Sequence, residues 1–136
     1  MTKSSSPAQL IIKMVGLLVA VGALLSGCAA APTRAEPDKF KLLGQAQIPR
    51  TNVGAFAECL LDGFDKAHFM LTNSTARQQR RTDSFRVETL VGGRILITSA
   101  DVFDDGRVML YEANSAMLIN TSGEREAFAR CVDRYK

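Results

Sequence analysis

Three cysteines, Cys28, Cys59 and Cys131, are the strongest nucleophiles in this chain of 136 residues. A thiol does redox work when a second thiol stands close by, as in C-x-x-C, and that spacing is absent here. The single histidine, His68, lies between a helical pattern and an apolar run. With no second histidine it reads as a packed or surface residue rather than a metal ligand. Serine is plentiful, but the G-x-S-x-G elbow is missing. Asp101, Asp104 and Asp105 form D-x-x-D-D-G, whereas a calcium loop of the EF-hand type needs D-x-D-x-D-G and a later Glu. They read as a hairpin turn with solvated carboxylates. Glu58, Asp62 and Asp65 follow helical spacing and predict a solvated helix face. A paired-carboxylate glycosidase needs two acids across a cleft, for which the chain is short. The expectation is no catalytic residue, no metal and no cofactor.

The first 27 residues are unlike the rest. Lys3 and Lys13 precede the apolar run 14–25 (MVGLLVAVGALL), and Ser26, Gly27 and Cys28 follow. A positive start, a short apolar core and small residues at its end describe a secretory signal peptide. The uncharged stretch 14–31 has 18 residues and ends in Ser, Gly, Cys and Ala, whereas a membrane span needs about 20 predominantly apolar ones. Leu25-Ser26-Gly27-Cys28 resembles the lipobox of bacterial lipoproteins. The resemblance covers this segment alone. It implies cleavage before Cys28, diacylglycerol on its sulfur and an acyl chain on the new amino group. Ala29 and Ala30, with no Asp after the cysteine, imply an outer-membrane lipoprotein facing the periplasm, with the inner membrane as the alternative.

That resemblance also settles the odd thiol. Once Cys28 carries lipid, Cys59 and Cys131 remain as an even pair in an oxidising compartment, and a disulfide between them is expected. Their surroundings agree, because residues 55–60 (AFAECL) and 127–132 (AFARCV) share the pattern A-F-A-x-C-aliphatic. Phe56, Leu60 and Phe64 recur every four residues, as do Phe128 with Val132 and Cys131 with Tyr135, which places each cysteine beside the apolar stripe of a helix.

Charge is recounted on the processed chain. Removing Lys3 and Lys13 from 17 basic residues leaves 15 against 14 acidic ones. An exported protein so near neutrality has no electrostatic case for wrapping nucleic acid. The local exception is Arg77, Arg80 and Arg81, with Arg86 and Arg94 near in sequence. Guanidinium groups pair bidentately with phosphate and carboxylate, so the cluster is a candidate patch for an anionic partner in the envelope. A solvated basic loop is the plainer reading. No aromatic side chain lies between Thr75 and Asp83, which argues against a stacking platform for sugars or bases.

The elements that must position these residues follow from periodicity. Residues 28–39 read as the lipidated cysteine and a flexible tether, rich in Ala, Pro and charge. Residues 40–43 suggest a lead-in strand, and Pro49 a break before a helix capped at Thr51 or Asn52 and running to Lys66. Residues 69–72 fit a short strand, and 73–83 a polar loop or a loose hairpin connection. Alternation predicts strands over 84–91, 94–102 and 107–113, joined by Gly92-Gly93 and Asp104-Asp105-Gly106. Residues 117–119 fit a fourth strand or a buried connector. Thr121 and Glu124 have the spacing of a capping box for a second helix. The expectation is one α+β domain over 40–136, a small antiparallel sheet of three to five strands packed against two disulfide-joined helices. No feature names a ligand. The functional expectation is a non-enzymatic accessory or binding module of the envelope, the alternative being an inhibitor or protective factor against a cell-wall hydrolase or toxin. For the latter, residues 73–83 are the candidate inserting loop.

Overall fold

The computed structural model describes residues 34–67, 73–116 and 118–136. The signal segment, Cys28, His68, the proposed strand 69–72 and Met117 lie outside the described residues. A 3-10 turn, Pro37–Lys39, leads into β1 (Phe40–Gln47). A second turn, Arg50–Asn52, precedes α1 (Val53–Ala67). Then come β2 (Ser74–Arg80), β3 (Ser84–Val91), β4 (Ile95–Phe103) and β5 (Arg107–Ala113). A third 3-10 turn, Asn114–Ala116, precedes α2 (Ser122–Tyr135). The sheet runs β1-β5-β4-β3-β2, antiparallel throughout. This is an α+β fold with five strands and two helices. Among the described residues no helix is long and apolar enough to cross a membrane.

One sheet face carries the helices. Val87, Ala100 and Leu110 stand opposite one another across β3, β4 and β5, and Val102 stands opposite Val108. All five are buried with Phe56, Leu60 and Phe64 of α1 and Phe128 of α2. Strand alternation therefore sends Val108 and Leu110 inward and leaves Met109 and Tyr111 half-buried on the other face. Gly92 and Gly93 adopt left-handed φ of 61° and 66°, the conformation a primed hairpin turn requires.

The helices meet along small residues. Cys59 and Cys131 are bridged, Sγ to Sγ 2.03 Å and Cα to Cα 6.0 Å. A Cβ on Gly63 would stand 2.6 Å from Ala127 Cβ, and one on Gly123 would stand 2.8 Å from Ala67 Cβ. Phe56 packs edge-on against both Phe128 and Tyr135, with centroids 6.3 and 6.2 Å away. The repeated A-F-A-x-C pattern is thus the facing surface of a bridged helix pair.

Several expectations need correction. Residues 73–83 are not a loop, because 74–80 form the edge strand β2 in unbroken register with β3. Residues 117–119 form no strand among the described positions. Leu118 is 94% exposed, whereas Ala116, in the preceding 3-10 turn, is buried. The capping box is not made either: the Thr121 hydroxyl donates to the Glu112 carboxylate, and the Thr98 hydroxyl donates to the fully buried Glu124 at 3.5 Å. The side chains of Thr121, just before α2, and Glu124, in its first turn, are drawn to the sheet instead of capping the helix. Asn52 likewise spends its side-chain amide on the Tyr135 carbonyl of α2, at 3.2 Å.

Candidate functional site

The β2 edge strand and its partners position the predicted arginine patch, and alternation decides where each guanidinium goes. Arg77 lies opposite Glu88, and Arg80 opposite Phe85. Residues three apart on a strand point to opposite faces, so Arg77 and Arg80 are separated by the sheet itself. Arg77 donates through Nε to Glu88 Oε2 at 2.8 Å, and its Nη2 lies 2.7 Å from the same oxygen as an ion pair. Glu88 is buried, its side chain 4% exposed, whereas Arg77 is half in water. Arg80 grips Asp104 with two bonds of 2.7 Å and lies 4.6 Å from the Phe85 ring centroid. Arg81 anchors the turn through its backbone N–H to the Ser84 carbonyl at 2.8 Å. Its guanidinium donates to the neutral Gln79 amide at 2.9 Å.

The three arginines do not converge as one anion site. Arg77 belongs to the face away from the helices. Arg80 and Arg81 share a shallow depression of about 520 Å³ at the hairpin end with Ser84, Arg86, Asp101 and Phe103. Arg94 lies at the far end of the β3–β4 hairpin and takes no part.

Asp101 corrects the reading of the acidic cluster. Strand β4 continues through Phe103, so Asp101 sits within the sheet opposite Arg86. It is buried at 4% exposure. Arg86 Nε donates to Oδ1 at 2.7 Å, and Arg34 Nη2 to Oδ2 at 3.0 Å. Asp104 and Asp105 do occupy the turn before Gly106. The hydrogen bonds from Arg80 hold the Asp104 carboxyl below its ordinary range and raise the Arg80 guanidinium in return. The Asp105 carboxyl is also held low, first by the Arg107 backbone N–H and then by its guanidinium. Glu58, Asp62 and Asp65 are exposed on α1, where Asp62 pairs with Lys66 at 2.7 Å.

Sequence reasoning missed Arg34, Glu88 and Tyr111. Arg34 stands in a stretch without apolar periodicity, and nothing in its neighbours signals that it returns to the sheet. Glu88 alternates with Val87 and Thr89, so it reads as an exposed position until β2 and Arg77 are laid beside it. The outcome is a surface of matched guanidinium–carboxylate pairs, with Arg81 the patch residue whose guanidinium meets a neutral partner. Among the described residues no three His, Cys, Asp or Glu side chains are grouped to hold a metal. No family model matches the chain, and no curated protein or solved structure matches it significantly.

Proposed function

We propose that this chain is a lipid-anchored envelope protein, held at the periplasmic face of the outer membrane through Cys28, whose domain is a non-enzymatic accessory or binding module. The observation that carries the reading is the division of the cysteines. Two are joined in the domain across 72 residues, and the third closes a lipobox behind an apolar run. A structural disulfide belongs to an oxidising compartment, which agrees with export. Two or more acyl chains give the stable anchoring that a single chain cannot.

The partner contact is assigned to the hairpin end around Arg81, where a guanidinium meets a neutral amide beside the Arg80–Asp104 and Arg86–Asp101 pairs. The partner is an envelope protein presenting carboxylate or phosphate groups. The inhibitor alternative relied on residues 73–83 projecting as a loop; as an edge strand and tight turn, they no longer favour it. Crosslinking in native cells followed by mass spectrometry of the captured protein tests the assignment. Arg81→Glu is expected to abolish capture of a partner that wild type retains. Undiminished capture would move the contact elsewhere, and turnover of a cell-wall or lipid substrate by the purified chain would overturn the non-enzymatic reading.

A further inference from the structure

Arg34 comes from the segment that composition reads as a tether, yet its side chain is only 10% exposed. Besides its 3.0 Å bond to Asp101 Oδ2, its Cζ lies 3.7 Å from the Tyr111 ring centroid and 4.8 Å from that of Phe40. A planar, weakly hydrated cation against two rings and a carboxylate is the setting in which arginine is favoured over lysine. The receptor side is built without Arg34. Asp101 is fixed by the 2.7 Å bond from Arg86 to its other oxygen, and both rings belong to paired strands, β1 and β5. Oδ2 is therefore an acceptor held in position for an incoming donor.

The segment that carries the occupant, by contrast, lies at the surface. Residues 35–39 are all exposed, and the turn Pro37–Lys39 buries nothing. A bond of 3.3 Å from the Asn114 amide to the Asp38 carbonyl is a further tie to the sheet end.

We propose that Asp101, Tyr111 and Phe40 form a guanidinium-binding site, filled in cis by Arg34 and open to an arginine side chain of a partner peptide when the segment before Phe40 lifts away. One arginine replaces another, so the exchange leaves no buried carboxylate unpaired. Taken with the lipid anchor proposed above, on which this consequence rests, exchange would lengthen the leash. Arg34 lies six positions after Cys28 and Phe40 twelve, which raises the greatest reach from about 20 Å to about 40 Å at roughly 3.3 Å per residue. Partner binding would then let the domain stand further from the bilayer.

The test is a titration of the purified full chain in detergent, following the ring resonances of Tyr111, one of two tyrosines. The probes are N-acetyl-arginine amide and N-acetyl-lysine amide at equal ionic strength. Arg34→Ala is expected to give a saturable shift, at least tenfold tighter for the arginine probe. Wild type, its site filled, should respond at least tenfold more weakly, and Arg34→Ala combined with Asp101→Asn, which keeps the Tyr111 reporter, should not respond. No saturable response from an Arg34→Ala chain that keeps its disulfide and circular dichroism, or equal response to both probes, would overturn the site. If Arg34→Ala fails to fold, Arg34→Lys is titrated in its place, and the same two results support or overturn the site. The titration needs no lipid, so its failure is distinct from failure of the anchor, which the mass of the Cys28 peptide reads independently.

Discussion

Two guanidinium–carboxylate pairs on β2 have the same 2.7 Å contact and different surroundings. The Glu88 side chain is 4% exposed, and that of Asp104 is 46% exposed. An exposed pair is screened by water and adds little to stability. A buried carboxylate stripped of its partner carries the desolvation cost of an unpaired charge. Arg77→Ala is therefore expected to lower unfolding free energy by about 1–3 kcal/mol in urea titrations, a range reduced because Arg77 is half in water. Arg80→Ala should cost less. Adding Glu88→Gln to Arg77→Ala should recover part of the loss, and full additivity of the two changes would deny the coupling. Asp104 also gives a pH signature. Its folded pKa is depressed by Arg80, so its stabilisation is present above the unfolded value, about 3.9, and is lost as pH falls through the folded one. The difference in Tm between wild type and Asp104→Asn should accordingly close in that acid window. A difference that widens toward acid would contradict the assignment.

At the scale of elements, the helix pair is set by what its glycines leave out. Gly54 and Gly63 both lie in α1, yet nothing stands within 4 Å of a Cβ at Gly54, whereas one at Gly63 meets Ala127 at 2.6 Å. Gly54→Ala is expected to stabilise the chain by about 0.5–1 kcal/mol through helix propensity and unfolded-state entropy. Gly63→Val should destabilise it by about 1–3 kcal/mol by wedging the helices apart. Denaturant midpoints that moved the same way for both would refute this packing. The disulfide spans 72 residues, and Cys131→Ser should cost about 4 kcal/mol in the chain-entropy account. These contacts also explain what was legible in the sequence. Strands β3 and β5 fall where alternation and Gly or Asp turns put them, because half-buried strands impose a period of two. The bridged helices were legible because Phe56, Leu60 and Phe128 repeat at helical spacing beside the cysteines. Strand β2 was not legible. Its inward positions are Ser74, Ala76 and Gln78, too polar to mark a period, and its pairing comes from β3. Asp101 and Glu124 misled for the same reason: a carboxylate looks solvated until the strand or turn that buries it is in place. The arginine patch was legible as charge, but not as the face-by-face division that register imposes.

For the whole molecule, the lipid attachment proposed at Cys28 and the folding of the domain would rest on different sulfurs and should be separable. The described core, from Ile48 to Cys131, and the bridge lie wholly downstream of Cys28. Two or more acyl chains at about 0.8 kcal/mol per buried methylene outweigh any contact that a nearly neutral domain makes with headgroups. Cys28→Ala is therefore expected to release the protein from the membrane fraction, or to leave it unprocessed with its signal attached, while the domain keeps its disulfide. Thiol alkylation under denaturing, non-reducing conditions reads both outcomes together. Wild type should offer no free thiol, its lipidated sulfur and its bridge both being closed. Cys28→Ala should also offer none, and Cys59→Ser should expose one, at Cys131. Alkylation of Cys28 in wild-type protein from cells would separate the apolar N-terminus from any lipid function and leave the disulfide intact. Alkylation of Cys59 and Cys131 would remove the oxidising compartment as well. The pattern of labelled residues thus decides which half of the proposal fails.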